Sequence, residues 1–170
     1  MRNIDWNAVE EVMEFEKVTP GGYVAKIVGV EDVPGKEYLK MEIDIVEGKF
    51  AGYFSALFED KGFWGLNLYR SYKSNALGFF KSFKNHVEES NPGYVFANDE
   101  STLKEKYIGI VIGEEEYIGN DGNEKVRVYI HSTKPITDIR NGKFKVPETK
   151  KLDRSGVPSG FSANDNDTPF

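Results

Sequence analysis

Leu39, Met41, Ile43 and Ile45 alternate with Lys40, Glu42 and Asp44. A period of two places every apolar side chain on one face of an extended chain, which no helix can do. The run predicts a half-buried strand and biases the class of the whole chain. Tyr23 to Val33, rich in β-branched residues, predicts a strand before it, behind Pro20-Gly21-Gly22. Val33-Pro34-Gly35-Lys36 predicts the turn between the two, and Gly48-Lys49 the turn that follows. Gly52 to Phe58 reads as a third strand. Tyr107 to Gly113, carrying Ile108, Ile110 and Ile112, predicts a fourth. Gly119-Asn120-Asp121-Gly122 signals a hairpin into a fifth, Lys125 to Thr133. In that strand Val126, Val128 and Ile130 are expected inward, and Arg127, Tyr129 and His131 outward.

One helix interrupts the series. Ala76, Phe79 or Phe80, Phe83 and Val87 recur at gaps of three and four and form one apolar face. Ser74 is the expected N-cap, and Asn91-Pro92-Gly93 the stop. Five strands with a helix between the third and fourth is the order of an OB-type barrel. Such barrels bind oligonucleotides on strands two and three, between the loops joining strands 1–2 and 4–5. Other small α+β folds share the order. Trp6, Val9, Val12, Met13 and Phe15 are anchors for a short helix or arm at the acidic N-terminus. The expected fold is therefore mainly β: a five-stranded OB-fold-like barrel with its arm over residues 1–152. Of the 18 residues 153–170, 12 are Gly, Ser, Pro, Asn or Asp without apolar periodicity, which predicts a disordered acidic tail.

The net charge of −6 is unevenly spread. Between Lys61 and Val87 there is no Asp or Glu, while Lys61, Arg70, Lys73, Lys81 and Lys84 give that stretch a local +5. Seven aromatic residues share it: Phe63, Trp64, Tyr69, Tyr72, Phe79, Phe80 and Phe83. A polyanion responds to local charge rather than to the total, so nucleic acid stays open as a ligand. Without cysteine there are no disulfides, thiolate metal sites or Cys nucleophiles. No apolar run is long enough for a membrane span, and the acidic start is unlike a secretory signal, so a cytoplasmic location is expected. Glu114-Glu115-Glu116 with Asp121, or Asp44 with Glu42, are the only carboxylate groupings that invite a metal. His86 and His131 are isolated. No phosphate loop or nucleophile motif occurs. No enzyme activity and no cofactor are expected.

Asp165-Asn166-Asp167-Thr168-Pro169-Phe170 resembles the C-terminal tip of bacterial single-stranded DNA-binding proteins, in which acids precede a terminal Pro-Phe. The resemblance implies that Asp165, Asp167, Pro169 and Phe170 bind replication or recombination proteins. A ring filling a pocket and carboxylates meeting Lys or Arg supply the contact. Pro20-Gly21-Gly22-Tyr23-Val24-Ala25-Lys26-Ile27, Gly52-Tyr53-Phe54, Gly93-Tyr94-Val95-Phe96 and Gly113-Glu114-Glu115-Glu116-Tyr117 are similar to a second group. These are small proteins of phages and prophages of Gram-positive bacteria, formerly a domain of unknown function and regarded as single-stranded DNA-binding proteins. That resemblance implies a setting in phage replication or recombination.

Binding of single strands without sequence preference combines cations for phosphates with rings on which bases stack. Trp64, Tyr69, Arg70, Tyr72 and Lys73 offer that mixture most densely, and Lys26, Lys40, Lys125, Arg127 and Tyr129 extend it on the outward faces of strands. Phe79, Phe80 and Phe83, at helical spacing, are expected in the core, and Trp64 is divided between core and platform. The expected function is to bind and protect single-stranded DNA and to recruit partners through the tip. A single-strand annealing recombination protein is the alternative. The sequence also leaves a homodimer open.

Overall fold

The computed structural model describes residues 1–9 and 16–152. The expected first, second, fourth and fifth strands form β1 (Gly21–Val33), β2 (Tyr38–Ile45), β4 (Tyr107–Ile118) and β5 (Glu124–Lys134), all close to expectation. The third strand is the correction. Gly52 to Phe58 is not extended: Tyr53–Lys61 is a helix, α1, and β3 is Asn67–Ser71 inside the basic-aromatic stretch. Gly52 starts α1 in the left-handed region at φ +77°, which a glycine adopts without steric cost. A carboxylate from β2 then takes the N–H groups at the helix start. Asp44, 4 % exposed, accepts from Phe54 N and Ser55 N at 2.9 and 3.2 Å and from Ser55 Oγ at 2.5 Å. A remote cap of this kind overrides the β preference of Tyr53 and Phe54.

The five strands form one antiparallel sheet of order β3-β2-β1-β4-β5. β1 is long enough to pair with β4 through its first half and with β2 through its second, with a register shift between Ile27 and Gly29. The edge strands β3 and β5 come into contact. No ladder joins them among the described residues. The expected helix between β3 and β4 is α2 (Leu77–Ser90), and it ends at Asn91 as predicted. Ser74 does not cap it; that residue opens a separate 3-10 turn, Ser74–Ala76. α3 (Ile136–Arg140) follows β5, and Arg140 pairs with Glu47 in the turn after β2.

The inward faces supply the core: Ile27 of β1, Met41 and Ile43 of β2, Leu68 of β3, and Ile108, Ile110 and Ile112 of β4, closed by Phe54 of α1 and Phe83 and Val87 of α2. Phe80 packs partly against it, whereas Phe79 is 78 % exposed and leaves the predicted core. In β5 only Val128 and Ile130 pack inward; Val126 is exposed, because the β4–β5 hairpin extends past the rest of the sheet. Trp6 and Val9 are exposed, while Val12, Met13 and Phe15 lie outside the described residues, as does the predicted tail 153–170. No helix among the described residues is long and apolar enough to cross a membrane.

His86 ties α2 to β5 through Nδ1, 2.8 Å from Thr133 Oγ1. Burial lowers the imidazole pKa, and the charges of Lys134 and Arg70 lower it further, against opposing contributions from Glu89 and Asp138. The unfolded ring takes a proton near its ordinary pKa of about 6.5, and the folded ring resists it until lower pH. Acid therefore favours the unfolded chain from that pH downward to the folded pKa. Urea midpoints are expected to fall between pH 7.5 and 5.5, and to fall less in His86→Gln. Equal falls in the two proteins would exclude His86 as the source.

Candidate nucleic-acid interface

The register of the sheet decides which predicted residues share a surface. Opposite Leu39, Met41 and Ile43, the outward side of β2 presents Tyr38, Lys40 and Glu42, and cross-strand pairing sets Lys40 beside Tyr69 of β3 and Glu31 of β1. Tyr38 and Tyr69 meet edge to face with centroids 5.7 Å apart. Two half-buried rings and a cation thus occupy the middle of this face, with Glu31 and Glu42 flanking Lys40. Tyr38 was not expected there, although it shares the outward parity of Lys40 and could have been found by counting.

The other outward candidates lie on β5, the opposite edge strand, which comes into contact with β3. Lys125, Arg127 and Tyr129 occupy alternate positions facing outward, as predicted. The Arg127 guanidinium lies 4.5 Å from the ring centroid of Tyr117 and donates from Nε to Glu115 at 2.7 Å, leaving its terminal nitrogens. Lys125 pairs with Asp121 at 3.3 Å. Tyr129 stands edge-on to His131, and Lys150 covers its ring at 4.3 Å. Tyr129 is therefore half-buried rather than simply outward, and its hydroxyl is buried without a partner among the described residues. The cover is the segment after α3, which pairs Lys150 with Glu115 and brings Lys143, Lys145 and Lys151 in the same stretch. Close approach requires Gly113: a Cβ there would sit 2.9 Å from Pro147 and from Tyr129. Sequence reasoning missed this strap, since its lysines carry no periodicity.

Arg70 stands at an inward position of β3, not on the outer face. Its guanidinium lies 5.8 Å from the Phe83 ring centroid, Nη1 donates to Tyr69 O at 2.8 Å, and Nε is buried without a partner. Burial pushes its pKa down to about 10. Among the described residues no carboxylate pairs with it, and its charge meets only the Tyr69 carbonyl and the Phe83 ring. Phe79, one α2 turn from Phe83, presents a bare ring that the core assignment had hidden.

The remaining predicted residues are placed elsewhere. Trp64 donates its indole N–H to Ile43 O at 3.0 Å and leans on Phe58, packed against the core. Lys26 is engaged by Glu105 at 2.8 Å, a contact that raises its pKa. Tyr72 donates its hydroxyl to Asp32 at 2.8 Å, and Lys73 follows it into the 3-10 turn. Asp165, Asp167, Pro169 and Phe170 lie outside the described residues. The carboxylates considered for metal have other work: Asp44 caps α1, Glu115 pairs with Arg127, and Glu116 accepts from Leu152 N at 3.0 Å. No group of three or more ligating side chains stands ready for a metal among the described residues.

No protein-family model matches the chain, and no curated protein is detectably similar to it.

Proposed function

We propose that this chain binds single-stranded DNA without altering it chemically, across the outer surface of β2, β3 and β5, as an OB-type module of phage replication or recombination. The observation that carries the reading is the run of rings and cations along that surface: Tyr38, Lys40 and Tyr69 on β2 and β3, Arg127, Tyr129 and Lys150 at β5. A strand laid across it meets ring faces and edges for bases and guanidinium or ammonium groups for phosphates, neither of which reads sequence. The strand order β3-β2-β1-β4-β5, with edges that approach each other and a helix between β3 and β4, supports the OB reading. In such a barrel this is the face that takes oligonucleotides. The acidic Pro-Phe tip would then recruit replication or recombination proteins while the sheet holds DNA.

A titration of labelled oligo-dT and of duplex of equal length, at two salt concentrations, tests the proposal. Tighter binding of oligo-dT is expected, weakening with salt by a log–log slope of about 0.7 per phosphate contacted. Deleting residues 163–170 should leave that affinity equal or slightly higher, since the removed acids repel phosphate. Equal or better binding of duplex would overturn the single-strand reading.

A further inference from the structure

At the N-terminal end of α2, on the inward side of β2 where Leu39 stands between the outward Tyr38 and Lys40, the chain carries an apolar groove of about 380 Å³. Leu39, Phe80 and Phe96 line it, and Leu77, 51 % exposed, stands at its mouth. Phe80 and Phe96 are stacked at a tilt with centroids 5.8 Å apart, so the floor is preformed. The rim is acidic. Asp32 accepts the Tyr72 hydroxyl at 2.8 Å, and Glu100 lines the same groove. The hydrogen bond to Asp32 raises the Tyr72 pKa, and the charges of Glu37 and Glu100 act in the same direction. An apolar floor rimmed by the carboxylates of Asp32 and Glu100 has the wrong sign for phosphate, and also for this chain's own acidic ends. It has the right sign for a cationic segment with an apolar anchor.

We propose that this groove is a second docking site, separate from DNA, for a partner-protein segment carrying an aromatic or aliphatic anchor flanked by Lys or Arg. The anchor enters between Leu77 and the Phe80–Phe96 pair, and the flanking cations meet Asp32 and Glu100. Such a site gives the chain a contact for basic proteins that leaves the DNA face open. Its charge is also the reverse of that implied for the acidic C-terminal tip, which would seek basic pockets on other proteins.

The test uses the full chain, isotope-labelled, and two capped synthetic peptides: one alternating leucine or phenylalanine with arginine, the other with glutamate in place of arginine. The arginine peptide should shift the resonances of Leu77, Phe80 and Phe96. It should bind roughly tenfold or more tightly than the glutamate peptide at low salt. Asp32→Asn combined with Glu100→Gln should remove most of that preference without lowering the thermal midpoint. Leu77→Ser, at an exposed position, should weaken the arginine peptide with the charges intact. Oligo-dT affinity should not fall in any of these variants, so loss of DNA binding and loss of docking are read separately. Equal binding of the two peptides, or shifts confined to other surfaces, would overturn the proposal. So would displacement of the arginine peptide from these resonances by oligo-dT or by a peptide of residues 163–170.

Discussion

Asp44→Ala is expected to cost about 2–4 kcal/mol of folding stability, because it removes a buried charged acceptor from several donors at once. The carboxylate takes Ile45 N and Phe54 N at 2.9 Å each, as well as the amide and hydroxyl of Ser55. Alanine would leave the amides of Phe54 and Ser55 without acceptors at the start of α1, where Phe54 is part of the core. The loss also loosens the link between β2 and β3, since α1 fills the connection between them. Asp44→Asn keeps one acceptor oxygen and should fall between alanine and the parent. Ser55→Ala removes only the hydroxyl contact and should be the mildest. Urea unfolding checks the order: the midpoint should drop while the slope is unchanged. An Asp44→Ala protein within about 0.5 kcal/mol of the parent would behave like an ordinary surface variant and refute the capping role.

The same carboxylate explains where reading the sequence failed. β-branched richness identified β1, and strand periodicity β2, β4 and β5, because Met41, Ile43, Ile108, Ile110 and their neighbours are apolar at every second position. Gly52-Tyr53-Phe54 also carries strand-favouring residues, and nothing adjacent in the sequence says that its amides are taken by a residue ten positions earlier. True β3 and the residue before it do alternate, with Leu66 and Leu68 inward and Asn67 and Tyr69 outward, but Arg70 occupies the next inward position and breaks the pattern. The helix phase was ambiguous for a related reason. Phe79 and Phe80 both fit a three-to-four spacing, and only contact with Phe96 and Phe83 selects Phe80. For the candidate site, outward parity placed Lys40, Lys125 and Arg127 correctly on strand surfaces, whereas Tyr69 was singled out only by the local density of rings and cations. It could not reveal that β3 and β5 adjoin, that Lys150 folds back over Tyr129, or that Tyr72 belongs to an acidic groove. Those facts are long-range, and local periodicity carries no information about them.

Tyr69→Ala and Arg127→Ala should weaken oligo-dT in different ways, and the difference tests the interface itself. Tyr69 lies outward on β3 against Tyr38, so removing its ring takes away a stacking surface with little change to the core. The expected loss is about 1–3 kcal/mol, or roughly 5- to 150-fold, with a nearly unchanged salt slope. Tyr38→Ala should lose a similar amount, and the double variant less than the sum, because the two rings touch. Arg127 carries a charge whose partner, Glu115, is only one of the groups it can reach. Its removal should cost less at high salt than at low salt and reduce the log–log slope by about 0.7, the signature of one phosphate contact on a single strand. Folding should hardly respond, since an ion pair this exposed contributes about 0–1 kcal/mol. Anisotropy titrations at several salt concentrations, with thermal melts of each variant, separate stacking from charge and both from misfolding. Full oligo-dT affinity in Tyr69→Ala and in Tyr38→Ala would remove β2 and β3 from the interface. An unchanged slope in Arg127→Ala would remove β5, and with both gone the single-strand reading would have no surface left to stand on.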